Sequence, residues 1–178
     1  MINQNPSPTR SQAERHGFTL IELLVVISII AVLAGLAFPA VNGAMDSARK
    51  ARAKSDVTQI ATAIVAYETE YGRLPVTGTN DISTNVSTNL VKILIGAETN
   101  ANPRNIVFLE VSEWKKGKGG TNASGFCDPW DTNSVYQIAF DANYDNRITN
   151  AGNPATNIMK KVAVWSTNSV TNRRVTSW

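Results

Sequence analysis

The 178-residue sequence has one cysteine, Cys127, and one histidine, His16. A single cysteine excludes a disulfide within the chain, and the lack of further Cys and His excludes the usual structural zinc sites. A catalytic triad or a Cys–His pair would depend on His16 alone. We therefore do not expect an enzyme.

Charged residues are scarce as well. They make up 17% of the chain, and Lys and Arg outnumber Asp and Glu by 17 to 14. Such a small excess of positive charge does not indicate a nucleic-acid-binding surface. Nucleic acid is not expected as a partner.

One long apolar run stands near the N-terminus. Residues 1–17 are polar, and the chain is then almost wholly apolar over the 21 residues from Phe18 to Phe38. As a helix this run would span about 30 Å, the thickness of a hydrocarbon core. It is longer than the apolar region of a secretory signal peptide, and Leu36 stands where a lipoprotein signal would need cysteine. A single-pass anchor and a specialised leader are the alternatives left.

Glu22 interrupts the apolar run between Ile21 and Leu23. An acidic side chain in a bilayer costs on the order of 3 kcal/mol, so an acid at such a position is a functional candidate. The plain alternative is that Glu22 lies near the lipid headgroups and is merely tolerated.

The residues around Glu22 resemble a known processing site. The segment Gly17-Phe18-Thr19-Leu20-Ile21-Glu22-Leu23-Leu24 is similar to the prepilin peptidase site of type IV pilins and type II secretion pseudopilins. The resemblance implies that a prepilin peptidase cleaves after Gly17 and that the new N-terminal residue, Phe18, is methylated. It further implies that Glu22 pairs with the terminal amine of a neighbouring subunit in a filament.

The helical pattern continues beyond the apolar run. Apolar residues recur at helical spacing at Val57, Ile60, Ala61, Ile64 and Tyr71. The pattern predicts one helix from about Phe18 to Tyr71, ended by Gly72. Pro39 lies inside it, where proline removes a hydrogen bond, so a kink with local unwinding is expected there.

The rest of the sequence predicts a small globular head. We expect a short helix near 86–96, a strand or helical turn at Ile106–Leu109, strands at Val135–Phe140 and Met159–Trp165, and loops at Lys115–Gly120 and Asp141–Asn157. The fold class is α+β, a long N-terminal α-helix packed on a small antiparallel sheet as in the pilin-like fold. The expected division is a leader at 1–17, a transmembrane and filament-core helix at 18–40, and an amphipathic helix half with the head at 41–178.

The charges on either side of the apolar run disagree with the orientation that this resemblance implies. The leader offers Arg10 and Arg15, whereas four cations follow the run, at Arg49, Lys50, Arg52 and Lys54. Counting Lys and Arg would place the C-terminal side in the cytoplasm. A peptidase that acts at the cytoplasmic face places it outside, and we follow the motif.

An Asx-rich segment of the head suggests a cation site. Asp141, Asn143 and Asp145 alternate, and Arg147 follows two residues later. This is the spacing of the first half of an EF-hand loop, in which position 7 contributes its carbonyl oxygen. Gly152 stands where the bidentate Glu should be, so a complete EF-hand is excluded. Calcium in a partial oxygen cage and a turn that caps itself are both open.

The favoured function is a structural subunit of a type II secretion pseudopilus that supports protein secretion across the outer membrane. Its expected partners are prepilin peptidase, further copies, other pseudopilins, the inner-membrane assembly platform, and the membrane before assembly. The head would lie in the periplasm. The alternatives are a type IV pilus subunit, whose family commonly has a C-terminal disulfide that one cysteine cannot form, and a membrane-anchored periplasmic binding module.

Overall fold

The computed structural model describes residues 17–78, 80–151, 156–166 and 174–178. The predicted leader, apart from Gly17, lies outside these residues. The chain divides into two compact units, Met1–Gly43 and Ala44–Trp178. The first unit contains the beginning of a long helix, and the second contains the remainder of that helix and all the described strands.

The long helix, α1, runs from Leu20 to Tyr71. It confirms the single helix that the sequence predicts. The helix continues across Pro39, so the local unwinding predicted there is wrong. A proline removes only one hydrogen bond, and the turns on both sides keep theirs. The helix ends at Gly72, where φ is +65° and the backbone N–H donates to the carbonyl oxygen of Glu68 at 2.7 Å. Glycine adopts this left-handed cap without strain.

Among the described residues, the head contains one short helix after α1 and three antiparallel sheets. The elements after α1 are β1 (Ile82–Asn85), α2 (Thr88–Leu94), β2 (Gly120–Asn122), β3 (Gly125–Cys127), β4 (Gln137–Phe140), β5 (Ile148–Ala151), β6 (Thr156–Ile158) and β7 (Val162–Trp165). The main sheet has the order β1-β4-β7, with Ile138 of the central strand opposite Thr84 and Val164. Strands β2 and β3 form one hairpin, and β5 and β6 form another.

The core lies between the second half of α1 and the inner face of the main sheet. The helix contributes a fully buried stripe at Ala53, Val57, Ile60, Ile64 and Tyr67, with spacings of four, three, four and three residues. Ile138 and Phe140 of β4 belong to the same cluster. The helix therefore packs on an antiparallel sheet, and the predicted α+β class is confirmed.

A buried asparagine joins α1 to the segment that follows α2. Asn102 is fully buried, and its amide nitrogen donates to the carbonyl oxygens of Ile93 and Ile106, both at 2.8 Å. Its Oδ1 atom accepts the Tyr71 hydroxyl at 2.6 Å and the Ile106 N–H at 3.1 Å. One side chain thus satisfies polar groups from three parts of the head.

Two predictions for the head are wrong. The segment Asp141–Asn157 is not all loop, because it contains β5 and the first two residues of β6. Ile106–Leu109 forms neither a strand nor a helical turn. It is extended chain whose Phe108 and Leu109 N–H groups both donate to the carbonyl oxygen of Leu94, at 2.8 and 3.2 Å, so α2 supplies its hydrogen bonds.

Other predicted elements are confirmed with shifted ends. The helix predicted near 86–96 is α2, which Ser87 caps by accepting the N–H of Leu90 at 3.4 Å. The strands predicted at Val135–Phe140 and Met159–Trp165 contain β4 and β7. In the predicted loop Lys115–Gly120, only Gly120 belongs to a strand, β2.

Candidate functional site

The residues predicted for processing lie at the exposed start of α1. Gly17, Phe18 and Thr19 are exposed and precede Leu20, the first helical residue. A Cβ built on Gly17 would meet nothing within 4 Å. The described residues around Gly17 therefore give no steric reason for glycine at this position.

Glu22 and Thr19 cap the helix reciprocally. The Glu22 Oε2 atom accepts the Thr19 backbone N–H at 2.8 Å and the Thr19 hydroxyl at 2.7 Å. The Thr19 Oγ1 atom in turn accepts the Glu22 N–H at 3.3 Å. This is a capping box, which satisfies backbone donors at a helix start that have no partner within the helix. Within the described part of the chain, the Glu22 Oε1 atom has no hydrogen-bond partner.

In the first unit, the described part of α1 presents exposed apolar side chains. Leu20 is 86% exposed, and the large apolar side chains from Ile21 to Phe38 are all exposed. By length and composition, α1 is the one helix among the described residues that could cross a membrane. These features fit a single-pass membrane anchor.

The predicted calcium residues form one tight loop between β4 and β5. The Asp141 carboxylate accepts the N–H groups of Asp145 at 3.1 Å and of Asn146 at 2.7 Å. The Asn143 Oδ1 atom also accepts the Asp145 N–H, at 3.1 Å, and the Asp145 Oδ1 atom accepts the Arg147 N–H at 2.8 Å. The self-capping turn is therefore present, as one of the two sequence-based alternatives expects.

The backbone of this loop also suits an EF-hand-like path. Asn146, at position 6, has φ of +62°, the conformation for which glycine is usual there. Ile148, at position 8, is buried and begins β5. The loop offers four ligand residues, fewer than the six to eight oxygens around calcium, and the described residues contain no cluster of three His, Cys, Asp or Glu side chains able to hold a metal. Calcium at this loop would need several further oxygens, and the metal stays a prediction.

The two sets of predicted residues lie in different units. Gly17, Phe18 and Glu22 belong to the first unit, and the Asp141–Arg147 loop belongs to the second. Each set is therefore a separate candidate site.

Comparison with known families identifies the N-terminal site. Residues 13–38 match the family described as "Prokaryotic N-terminal methylation motif". The chain is type IV pilin-like at its N-terminus. The matched residues of this pilin-like segment include Gly17, Phe18 and Glu22, which the sequence analysis assigns to processing and assembly.

The chain is also similar to known whole proteins. The chain is 38% identical over 68 residues to "Type II secretion system core protein G" of Escherichia coli strain K12, which covers 38% of this chain and 47% of that protein. It is 39% identical over 64 residues to the protein of the same name from Pseudomonas aeruginosa, covering 36% and 45%. It is 35% identical over 98 residues to "Type IV major alpha-pilin" of Moraxella bovis, covering 54% and 58%.

These similarities cover only part of each protein. The chain spans about half the length of the core protein G relatives that it matches, 47% for the Escherichia coli protein. No solved structure matches the chain. The comparisons therefore identify the pilin-like segment and leave the function of the whole chain to be proposed.

The head also contains a buried acid on α1, Asp56. The Asp56 side chain is 1% exposed. Its Oδ1 atom lies 3.1 Å from Arg52 Nε, and its Oδ2 atom accepts the Tyr136 hydroxyl at 3.2 Å. Burial raises the pKa of the Asp56 carboxyl to about 6, against the opposing effects of the Arg52 charge and the Tyr136 hydrogen bond. No signal in the local sequence separates Asp56 from its exposed helical neighbours.

A second buried acid, Asp128, organises the turn before β4. Its Oδ1 atom accepts the N–H groups of Trp130 at 3.0 Å and Asp131 at 3.1 Å, and its Oδ2 atom accepts the Ser134 hydroxyl at 2.6 Å. Burial raises the pKa of Asp128, while these hydrogen bonds oppose the rise. This pattern is that of a structural Asx turn.

The neighbouring thiol is equally enclosed. Cys127 is fully buried, and its Sγ atom lies 3.1 Å from the carbonyl oxygen of Thr132. Burial, followed by the negative charge of Asp128, raises the pKa of the Cys127 thiol to about 11. A thiol with so high a pKa and no exposure is unreactive, so Cys127 contributes packing and not chemistry.

Proposed function

We propose that the chain is a structural subunit of a type II secretion pseudopilus. Prepilin peptidase would cleave after Gly17, and Phe18 would become the methylated N-terminus. The subunit would wait in the inner membrane as a single-pass protein with its head in the periplasm. It would then assemble with further copies and other pseudopilins at the inner-membrane assembly platform.

The observation that carries this proposal is the position of Glu22. Its carboxylate lies on an exposed apolar helix, in a segment that matches the prokaryotic N-terminal methylation motif. A charged group in an apolar surrounding is expensive unless it is paired. After processing, an α-amine on Phe18 of an adjacent copy would supply the cation that pairs with Glu22, since Thr19 supplies only neutral donors.

The capping box explains how Glu22 serves two purposes at once. The Oε2 atom is already engaged by both donors of Thr19, whereas Oε1 has no partner among the described residues. A carboxylate held in this way can offer its second oxygen to an incoming ammonium group in a fixed direction. Such a buried pair contributes register between subunits more than stability.

One substitution separates the capping role from the pairing role. Glu22→Gln keeps an acceptor for Thr19, because glutamine also forms capping boxes, but removes the negative charge. We expect Glu22→Gln to insert into the membrane and to be cleaved normally, and to lower filament yield at least tenfold. Filament yield is measured by shearing and sedimentation, and cleavage by mass spectrometry of the N-terminus.

The matched control is Thr19→Ser, which preserves the hydroxyl and the backbone donor, and it should assemble like the parent chain. Normal filament yield from Glu22→Gln would remove the basis of the proposal. A native N-terminus at Met1, or one beginning near Phe38, would overturn the assigned cleavage site.

A type IV pilus subunit is the second candidate. The similarity to the Moraxella bovis pilin covers 54% of this chain, more than the core protein G matches do. Filaments of this chain that extend far beyond the cell surface would favour this alternative. The single cysteine favours the pseudopilus, because it cannot form the disulfide common in pilins.

A membrane-anchored periplasmic binding module would need neither Glu22 nor the cleavage site. An intact function of such a module after replacement of Gly17 would support it. We propose a structural role and not an enzymatic one for the whole chain.

Calcium at the Asp141–Arg147 loop is a proposal of the same kind. The oxygens of Asp141, Asn143 and Asp145 and the carbonyl of Arg147 would hold the ion, with water or other groups as additional ligands. Millimolar calcium should then raise the thermal midpoint of the parent chain and leave that of Asp145→Asn less affected. Equal midpoints with calcium and with chelator would show that the turn acts alone.

A further inference from the structure

Four cations follow the apolar run, and their position contradicts the positive-inside rule for the proposed orientation. Most of them line clefts on the surface of the head. The four cations are Arg49, Lys50, Arg52 and Lys54. Arg52 pairs with Asp56. The other three line two clefts on the flanks of α1, each together with cations from distant parts of the chain.

The first cleft, of about 560 Å³, is lined by Met45, Ala48, Arg49, Lys116, Gly117 and Lys118. Its helix side is partly apolar, since Met45 is 49% exposed. The second cleft, of about 430 Å³, includes Lys50, Lys54 and Arg174. Among the described residues, no acidic side chain lines either cleft, but Lys50 of the second cleft pairs with Asp46 at 3.4 Å. The first cleft therefore gathers three cations with no acidic side chain in its lining.

The loop that forms one wall of the first cleft is fixed by its own backbone. The Gly117 N–H donates to the carbonyl oxygen of Pro129 at 3.0 Å, and Lys115 and Gly119 exchange two hydrogen bonds of 3.1 Å. A Cβ built on Gly117 would lie 3.7 Å from Arg49 Nε. The guanidinium thus stands against the loop between Lys116 and Lys118. The backbone of the loop thus places Lys116 and Lys118 on either side of the glycine that Arg49 approaches.

The chain also restricts how far the first cleft can lie from a bilayer. Met45 follows Phe38, the end of the apolar run, by seven positions. Seven residues span about 10 Å as a helix and at most about 25 Å fully extended. The headgroup region adds roughly 5–8 Å to each side of the hydrocarbon core. A cleft with one partly apolar side and three cations, tethered at this distance, therefore begins just outside the headgroup region when the apolar run is in a membrane, and its long cationic side chains would reach inward to the phosphates.

We propose that the first cleft binds the headgroup of an anionic phospholipid. Arg49, Lys116 and Lys118 contact the phosphate, and Met45 and Ala48 lie against the glycerol and upper acyl carbons. The inference rests on the membrane-held state in the proposed function. In the membrane-held state, the cations that follow the apolar run would dock the head on the membrane before assembly.

The test uses the full chain in non-ionic detergent and counts bound lipid by native mass spectrometry. Phosphatidylglycerol and phosphatidylcholine with the same acyl chains are the probes. We expect the parent chain to bind phosphatidylglycerol at least tenfold more tightly. Lys116→Gln with Lys118→Gln should weaken that binding by about fivefold for each lysine removed.

The matched control removes two exposed lysines elsewhere on the head, Lys92→Gln with Lys160→Gln, and should change lipid binding less than twofold. Arg49→Gln tests the cleft from its helix side if the loop variant is poorly folded. Equal losses from both double variants, or equal affinity for the two lipids, would overturn the proposal.

Two other results would overturn it in favour of another ligand. Displacement of the lipid by millimolar inorganic phosphate would make the cleft a free-phosphate site. A dimer that dissociates on Lys116→Gln with Lys118→Gln, without any lipid preference, would assign the cleft to a second copy. A chain recovered from membranes with Phe18 at its N-terminus but with no lipid preference would leave the proposed function intact and refute the cleft alone.

Discussion

Replacing Asp56 by asparagine should stabilise the head at neutral pH. Burial raises the pKa of Asp56 in the folded chain from 3.8 to about 6. Its side chain is 1% exposed, so little of this effect is lost to solvent screening. Ionising Asp56 therefore costs about 3 kcal/mol more in the folded chain than in the unfolded chain, at about 1.4 kcal/mol for each pKa unit.

The direction of the pH dependence follows from the raised pKa. Below about pH 4 the carboxyl is protonated in both states, and its contribution to stability is fully present. As the pH rises from about 4 to about 6, the unfolded chain loses its proton first, and the folded state loses stability. Above about pH 6 the loss is complete, and the parent chain is less stable by about 3 kcal/mol on this account.

Asparagine keeps an acceptor for the Tyr136 hydroxyl but cannot ionise. It also weakens the contact with Arg52, at a cost of about 1 kcal/mol. We expect Asp56→Asn to be more stable than the parent chain by about 2 kcal/mol near pH 7.5, a rise of about 4–8 °C in melting temperature. Near pH 4 the two chains should agree within about 1 kcal/mol. Thermal unfolding of the full chain in detergent, followed by circular dichroism, measures both values.

The matched control is Glu110→Gln, which neutralises an exposed acid on the same head. It should change stability little at either pH, because exposed charges contribute little. A stability difference between Asp56→Asn and the parent chain that stays constant with pH would refute the reasoning. A stability difference that narrows as the pH rises would refute it as well.

Three further predictions follow from the capping box, the buried amide and a crowded glycine. Thr19→Ala removes a capping hydroxyl, worth about 1 kcal/mol of helix stability, and should lower filament yield in the sedimentation assay while cleavage continues. Asn102→Ala leaves buried backbone groups without partners and should lower the free energy of unfolding by about 2–4 kcal/mol, measured by thermal unfolding. A change below about 1 kcal/mol would contradict the role of Asn102. Gly125 has φ of +140°, and a Cβ there would lie 2.2 Å from the carbonyl oxygen of Val86. Gly125→Ala should therefore lower the melting temperature by about 5 °C or more, whereas an unchanged value would show that β3 can shift.

The sequence predicts α1 well because helical periodicity is a local property. Val57, Ile60 and Ile64 lie on the buried stripe, at the spacing of one helical face. Asp56 lies beside that stripe and accepts a hydrogen bond from the hydroxyl of Tyr136, which directly precedes β4 and comes 80 residues later in the chain. Local pattern cannot anticipate such a contact, so the most perturbed acid of the head goes unrecognised in the sequence.

The missed strands have the same cause. Strand β5, Ile148–Ala151, and strand β1, Ile82–Asn85, are short and rich in Asn, Thr and Ser, which are typical of turns. They become strands because β6 and β4 supply their hydrogen bonds. Strand formation in such segments depends on the partner more than on the residues themselves.

The calcium loop shows the limit of spacing arguments. The order Asp141, Asn143, Asp145 predicts both an oxygen cage and a self-capped turn, and the hydrogen bonds within the loop are compatible with each. Only the oxygens that complete the shell would distinguish the two, and these would come from residues distant in the sequence. The N-terminal site differs, because Gly17, Phe18 and Glu22 lie within six consecutive residues.

The buried thiol at Cys127 makes this chain convenient for chemical mapping. Because the only native thiol is inaccessible, a maleimide probe or a thiol-reactive bifunctional crosslinker will react solely at a cysteine introduced on the surface. Pairs of such cysteines in neighbouring copies can report subunit spacing without background. The same burial prevents a disulfide between adjacent copies through Cys127, so contacts between copies of this chain would be non-covalent.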